Sequence, residues 1–176
     1  QGKLEMEPGM TVASWQQRPD SRGYVRLRSS DPFEAPVIQP NYLAEESDRR
    51  VLLAGMKLAR RLLAAKPLAP YYDREDFPGP QVQSDEELLG AAKQRGTTTF
   101  HPNGTCRMGP ATDPLAVVDD QLRVHGLQGL RVIDASVMPT MLSANLNAAT
   151  LMLADKASDL LRGRPALEPA ARDAAE

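Results

Sequence analysis

Leu130-Arg131-Val132-Ile133 constrains the fold more than any other stretch. It is a short apolar run with one arginine, the pattern of a strand buried on both faces, and such strands belong mostly to parallel sheets. Asp134 then stands at the carboxyl end, where ligands sit in open α/β sheets. Its carboxylate either accepts hydrogen bonds from sugar-like hydroxyls or ties down the following turn. Residues 148–162 read as a helix with Ala149, Met152, Leu153, Ala157, Leu160 and Leu161 on one face. Gly163 suits its C-terminal cap and Pro165 lies just beyond. A strand of this kind followed by a helix suits a parallel sheet, and both expose apolar faces where the rest of such a sheet is absent.

The upstream part reads differently. A polar lead-in over 1–18 holds a strand around 11–15. Pro19 to Gly23 carry turn residues. Residues 24–28 alternate, with Val25 and Leu27 on one half-buried face. Val37 and Ile38 form a short extended piece between Pro36 and Pro40. A helix follows, capped by Ser47 or Asp48, with Val51, Leu52, Gly55, Leu58, Ala59, Leu62 and Leu63 at helical spacing. Lys66 falls in its last turn and Pro67 stops it. Residues 66–83 are rich in proline and aromatics and read as an ordered loop. Ser84 and Glu87 form a capping box for a short helix to about Gln94, ended by Arg95-Gly96. Residues 97–100 are β-branched and aromatic and lead as a strand into His101.

The chemistry-bearing residues lie beyond that point. His101-Pro102-Asn103-Gly104-Thr105-Cys106-Arg107-Met108-Gly109 places a histidine at a strand end before a sharp turn. Such a histidine serves either as a structural residue or as a general base, its ordinary pKa of about 6.5 lying near working pH. Thr105 and Arg107 are expected to satisfy loop carbonyls. Asn147 caps the last helix, and Asn145 hangs its amide just outside that end. The pair is either a turn with its cap or part of a ligand site, because the first amides of a helix favour anions. His125 reads as a surface histidine. Cys106, the lone cysteine, has no metal-ligand spacing around it, and Ser136 lies in no hydrolase elbow.

With 176 residues and 41% hydrophobic content, the chain can bury one ordinary core. A net charge of −2 makes no electrostatic case for nucleic acid or an anionic membrane. No apolar run approaches the roughly 20 residues of a spanning helix, and no signal segment opens the chain. A cytoplasmic location, with or without peripheral membrane contact, is the expectation. Gln1 in place of Met points to processing or to a longer parent.

Taken together, the motifs resemble the C-terminal part of the glucose-methanol-choline (GMC) flavoprotein oxidoreductases. The resemblance rests on His101 to Gly109, Leu122-Arg123-Val124-His125-Gly126, Leu130 to Pro139, and Asn145-Leu146-Asn147-Ala148. Ser21-Arg22-Gly23 and Ser30-Asp31-Pro32 match further upstream, so it spans about 18–163. It is strongest toward choline-dehydrogenase-like members.

The resemblance implies an FAD-dependent oxidation of a primary alcohol to an aldehyde by hydride transfer. By similarity, His101 is the base and Asn145 bonds the alcohol oxygen. Asp134 and Ala135 touch the FAD pyrophosphate and ribityl chain, and Asn147 and Ala148 lie against the pyrimidine edge of the flavin. No G-x-G-x-x-G fingerprint occurs, Gly126 and Gly129 having no such context. The partner implied is an N-terminal FAD-binding part on the same or a separate chain. The fold expected is α+β: a mixed, largely antiparallel substrate-domain sheet with helices, plus the last strand and helix of a Rossmann-like FAD domain. Residues 1–100 form the substrate-binding domain, 101–129 the active-site loop and connection, 130–163 the FAD-domain elements, and 164–176 a loose tail. A non-catalytic interaction domain without flavin, or hydroxynitrile-lyase chemistry on the same fold, are the alternatives.

Overall fold

Helix α1 (Glu46–Leu63) dominates the first half of the computed structural model, which describes residues 7–165 and 167–168. Neither expected residue caps it: Glu45 is the N-cap and makes no side-chain capping bond. Asp48 turns inward instead, only 2% exposed. Its two oxygens accept the amides of Asp20 and Ser21, each at 2.9 Å. Ser47 Oγ donates to Asp20 Oδ2 at 2.6 Å. Both hydroxyl and carboxylate are thus drawn to the loop before β1, whose part-buried amides take acceptors there. Burial pushes the Asp48 carboxyl up, but the bonds from the Ser21 hydroxyl, the Asp20 and Ser21 amides and the Gln16 side chain outweigh it and hold the group below its ordinary value.

The helix ends at Leu63, before Lys66. Pro67 does not stop it; it sits in the first turn of a 3-10 helix, Lys66–Tyr71, where a missing amide costs nothing. Arg60 fastens the remaining loop to α1. Its Nε bonds Glu75 Oε1 at 3.0 Å, and its terminal nitrogens donate to the carbonyls of Val82 (2.8 Å) and Gly79 (3.1 Å). Helix α2 (Asp85–Arg95) starts with the expected capping box of Ser84 and Glu87 and ends at Gly96. Leu88 and Ala91 are its buried residues, α2 packs on α1, and Lys57 pairs with Asp85 across them.

Strands β1 (Tyr24–Arg26) and β2 (Val37–Gln39) pair antiparallel with Val25 opposite Ile38. Gly23 is needed here, because a Cβ would stand 2.1 Å from the Gln39 carbonyl oxygen. The expected half-buried face is not there: β1 stops at Arg26, Val25 is 48% exposed and Leu27 87%. A two-stranded ribbon has no layer covering it. No strand forms at 11–15 or 97–100. The architecture is α+β, a small antiparallel sheet with helices, and the larger mixed sheet is absent among the described residues.

The chain divides into two compact units between Thr98 and Thr99. The second is mostly irregular chain around a small core of Val118, Leu122, Val137 and Ala157, with Met108, Val124, Val132, Ile133 and Leu153 partly buried against it. Isolated bridges join Met108 to Val118, Val118 to Val124 and Arg123 to Arg131. Residues 130–133 are not a strand: only Arg131 makes a bridge, and Leu130 is 50% exposed. A run patterned for burial on both faces needs strands on both sides, and the described residues supply none.

Helix α3 (Leu146–Leu161) begins two residues earlier than expected, with Asn145 rather than Asn147 as N-cap. Its C-terminus follows expectation. The Gly163 amide reaches the Leu160 carbonyl at 3.3 Å and the Arg164 amide that of Asp159 at 2.9 Å, a Schellman closure with Gly163 at φ 65°. Ala157 packs into the core, while Leu151, Met152 and Leu161 are each more than 60% exposed. Exposed apolar surface on the last elements was the expectation. The lead-in residues 1–6 and most of the expected loose tail, 166 and 169–176, lie outside the described residues.

Candidate functional site

His101 is half-buried and enters the second unit from a bend. The strand expected to deliver it is absent because Phe100 takes φ 60°, a left-handed conformation that a bulky residue adopts only under constraint. After Pro102 the chain turns at Gly104, φ 81°, where a Cβ would lie 3.3 Å from the Met138 carbonyl oxygen. The segment is then tied to the 134–140 stretch. Cys106 N donates to Ser136 O at 3.0 Å, Met108 N to Val137 O at 2.8 Å, and Asn103 Nδ2 to Thr140 O at 3.1 Å. Two motifs some 30 residues apart are thereby laid side by side.

The far end of the segment is held by side chains the sequence analysis assigned otherwise. Arg107 bonds no carbonyl; its guanidinium pairs with Asp113, and its Nε is buried without a partner among the described residues. His125 is not a bare surface histidine: its Nε2 bonds the Gly109 carbonyl at 3.0 Å and it is half-buried. Asp119 accepts the amides of Gln121 and Arg123, each at 2.9 Å, and the Arg123 guanidinium at 2.7 Å. Burial pushes its carboxyl up, and those bonds bring it below its ordinary value. Nothing in the residue spacing pointed to Asn103 or Asp48 as tethers, since each acts through a partner more than 25 residues away in the chain rather than through a motif.

Asp134 is exposed and caps the short 3-10 turn Ala135–Val137, its Oδ1 accepting Ser136 N at 2.7 Å. The turn-carboxylate role is therefore real, and Oδ2 is left for another donor. Asn145, Asn147 and Ala148 are exposed at the start of α3, and the N-cap Asn145 makes no side-chain capping bond. No hydrogen bond joins His101 to Asn145. The open concavity lined by Arg123, His125, Leu127, Leu130, Ile133 and Leu161 includes none of His101, Asp134, Asn145 or Asn147. Among the described residues no group of His, Cys, Asp and Glu could hold a metal, and no helix is long and apolar enough to cross a membrane.

The family model described as GMC oxidoreductase matches residues 19–154. This chain belongs to the GMC oxidoreductase family. Within it, the chain is a C-terminal, substrate-binding segment of the FAD flavoproteins, related to choline dehydrogenase. An oxygen-dependent choline dehydrogenase of Staphylococcus aureus is 46% identical over 151 residues, 85% of this chain and 26% of that protein. Pyridoxine 4-oxidase from Mesorbium loti superposes with a TM-score of 0.77 at 33% identity, over 85% of this chain and 29% of that one. A fungal aryl-alcohol oxidase gives 0.68 at 34% identity, over 82% and 24%. The chain thus spans about a quarter of the length of the relatives it matches.

The residues present fit the flavin that the GMC family implies. The 16-residue helix opens without a capping bond from the Asn145 side chain, and two alanines stand in its first turn, where an anionic group would meet the positive end of the dipole. The free oxygen of Asp134 is a ready acceptor for a hydroxyl donor.

Proposed function

We propose that this chain is the substrate-side part of an FAD-dependent oxidoreductase that converts a primary alcohol to its aldehyde. Residues 1–100 serve as the substrate-binding domain and 101–129 as active-site loop and connection. Residues 130–163 complete the FAD-binding domain, and the run at 130–133 becomes a strand beside those of the N-terminal FAD-binding part.

Bound FAD supplies the hydride acceptor. His101 takes the hydroxyl proton of the alcohol, and Asn145 donates to the oxygen as negative charge builds on it, which together weaken the carbinol C–H bond. Asp134 and Ala135 hold the pyrophosphate and ribityl region, the carboxylate accepting a hydroxyl. Asn147 and Ala148, in the first turn of α3, present amides and dipole to the pyrimidine edge, which is anionic when reduced. Alignment of the carbinol carbon is a positioning task for which a rigid His101 segment is required.

The observation that carries this reading is the pair of backbone bonds from Cys106 to Ser136 and from Met108 to Val137. They set the histidine segment against the segment bearing Asp134 and Ala135. The test combines this chain with an FAD-binding part and follows flavin absorbance and alcohol-driven dye reduction. Both should appear, with aldehyde beyond one equivalent per flavin formed only when an electron acceptor is present. A colourless complex would favour a non-catalytic domain, and acceptor-independent release of aldehyde and hydrogen cyanide from a cyanohydrin would favour lyase chemistry.

A further inference from the structure

We propose that Asn103 is a positioning residue for His101: its side-chain amide fastens the turn carrying the imidazole to the Thr140 carbonyl, and so sets His101 relative to the stretch that runs on into Asn145. The inference rests on the assignment of His101 as base.

Asn103 is half-buried, and its Nδ2 donates to Thr140 O at 3.1 Å across 37 residues of chain. Only Pro102 separates it from His101. Four soft backbone torsions lie between their Cα atoms; the proline ring fixes its own φ and restricts the His101 backbone before it, so a displacement of Asn103 is passed on to His101. On its other side, Gly104 at φ 81° runs so close to the same stretch that an added Cβ would stand 3.3 Å from the Met138 carbonyl oxygen. Thr140 lies five residues before Asn145. One side-chain bond therefore couples the two residues proposed to share the alcohol oxygen, which no direct hydrogen bond joins. Phe100, at φ 60° before His101, adds a reason for the tether: strained backbone relaxes toward ordinary angles when a neighbouring constraint is lost. The tether does not make the fold, because the backbone bonds of Cys106 and Met108 remain without it.

The experiment compares Asn103→Ala, Asn103→Asp and His101→Ala in the assembled flavoenzyme. Asn103→Asp is nearly isosteric, but an ionised carboxylate cannot donate to a carbonyl. Anaerobic flavin reduction at saturating alcohol, KM, amide exchange at Cys106 and Met108, and the His101 ring resonances are measured. Both Asn103 variants should keep flavin and the slow exchange of Cys106 and Met108. Their reduction rates should fall about tenfold to a hundredfold, the range that an ångström-scale misplacement costs. KM should change less than kcat, and the His101 resonances should shift or broaden. Slow reduction in His101→Ala with wild-type rates in both Asn103 variants overturns this inference alone. Lost protection at Cys106 and Met108 also overturns it, showing a merely structural role. A wild-type rate in His101→Ala overturns the base assignment and this inference with it.

Discussion

Replacing Asp48 by alanine removes the one buried charged side chain among the described residues and strands two amides. Each buried donor left without a partner costs about 1–3 kcal/mol. Water entering the space of the lost carboxylate offsets part of this, so the first unit should lose about 2–4 kcal/mol. With a urea slope of about 2 kcal/mol/M, the middle of the usual range, its unfolding midpoint should fall by about 1–2 M. Asp48→Asn keeps one acceptor but turns its NH2 toward the other amide, so it should lie between. The pH dependence follows from the lowered carboxyl. The unfolded chain takes up the proton near the ordinary value of 3.8, the folded chain only at lower pH. The Asp48 contribution is therefore complete above 3.8 and lost as pH falls through the lower folded value. Amide exchange at Asp20 and Ser21 reports the bonds directly: slow in the native protein, fast in Asp48→Ala. An unchanged midpoint with slow exchange at both amides in Asp48→Ala would refute the reasoning.

Other outcomes follow from single contacts. Gly104→Ala forces a Cβ onto a left-handed backbone 3.3 Å from the Met138 oxygen, and should cost about 1–2 kcal/mol in thermal or urea unfolding. Ser84→Ala removes the capping-box acceptor of the Glu87 amide and should cost about 1 kcal/mol. Arg60→Ala cuts three bonds to the 66–83 loop, and should make that loop sensitive to protease before the rest of the first unit unfolds. Leu161→Gln, on exposed α3 surface, should change the stability of the isolated chain by no more than about 0.5 kcal/mol. In titration calorimetry it should weaken association with the FAD-binding part at least several-fold.

Local rules made some elements legible and left others dark. The Ser84–Glu87 box and the Gly163 closure depend only on neighbouring residues, and both formed where the letters placed them. The β2 piece between two prolines did as well. The run at 24–28 forms a strand only over Tyr24–Arg26 and is exposed, and 130–133 forms none, since an apolar pattern reports neighbours that the described residues do not supply. The start of α1 was misplaced because Ser47 and Asp48 bond the loop at Asp20 and Ser21 rather than their own helix end. At α3 the cap is Asn145 rather than Asn147. In the candidate site, the motif residues were visible as letters. The bonds that lay Cys106 and Met108 against Ser136 and Val137, and the Asn103 tether, are long-range contacts that residue patterns do not encode.

The most direct test of the catalytic assignment is a stopped-flow measurement of flavin reduction by alcohol in His101→Ala, made without oxygen in the assembled enzyme. Loss of a general base predicts normal flavin content and a reduction rate about a hundredfold to ten-thousandfold below the parent. A flavin reduced at the parent's rate would contradict the account.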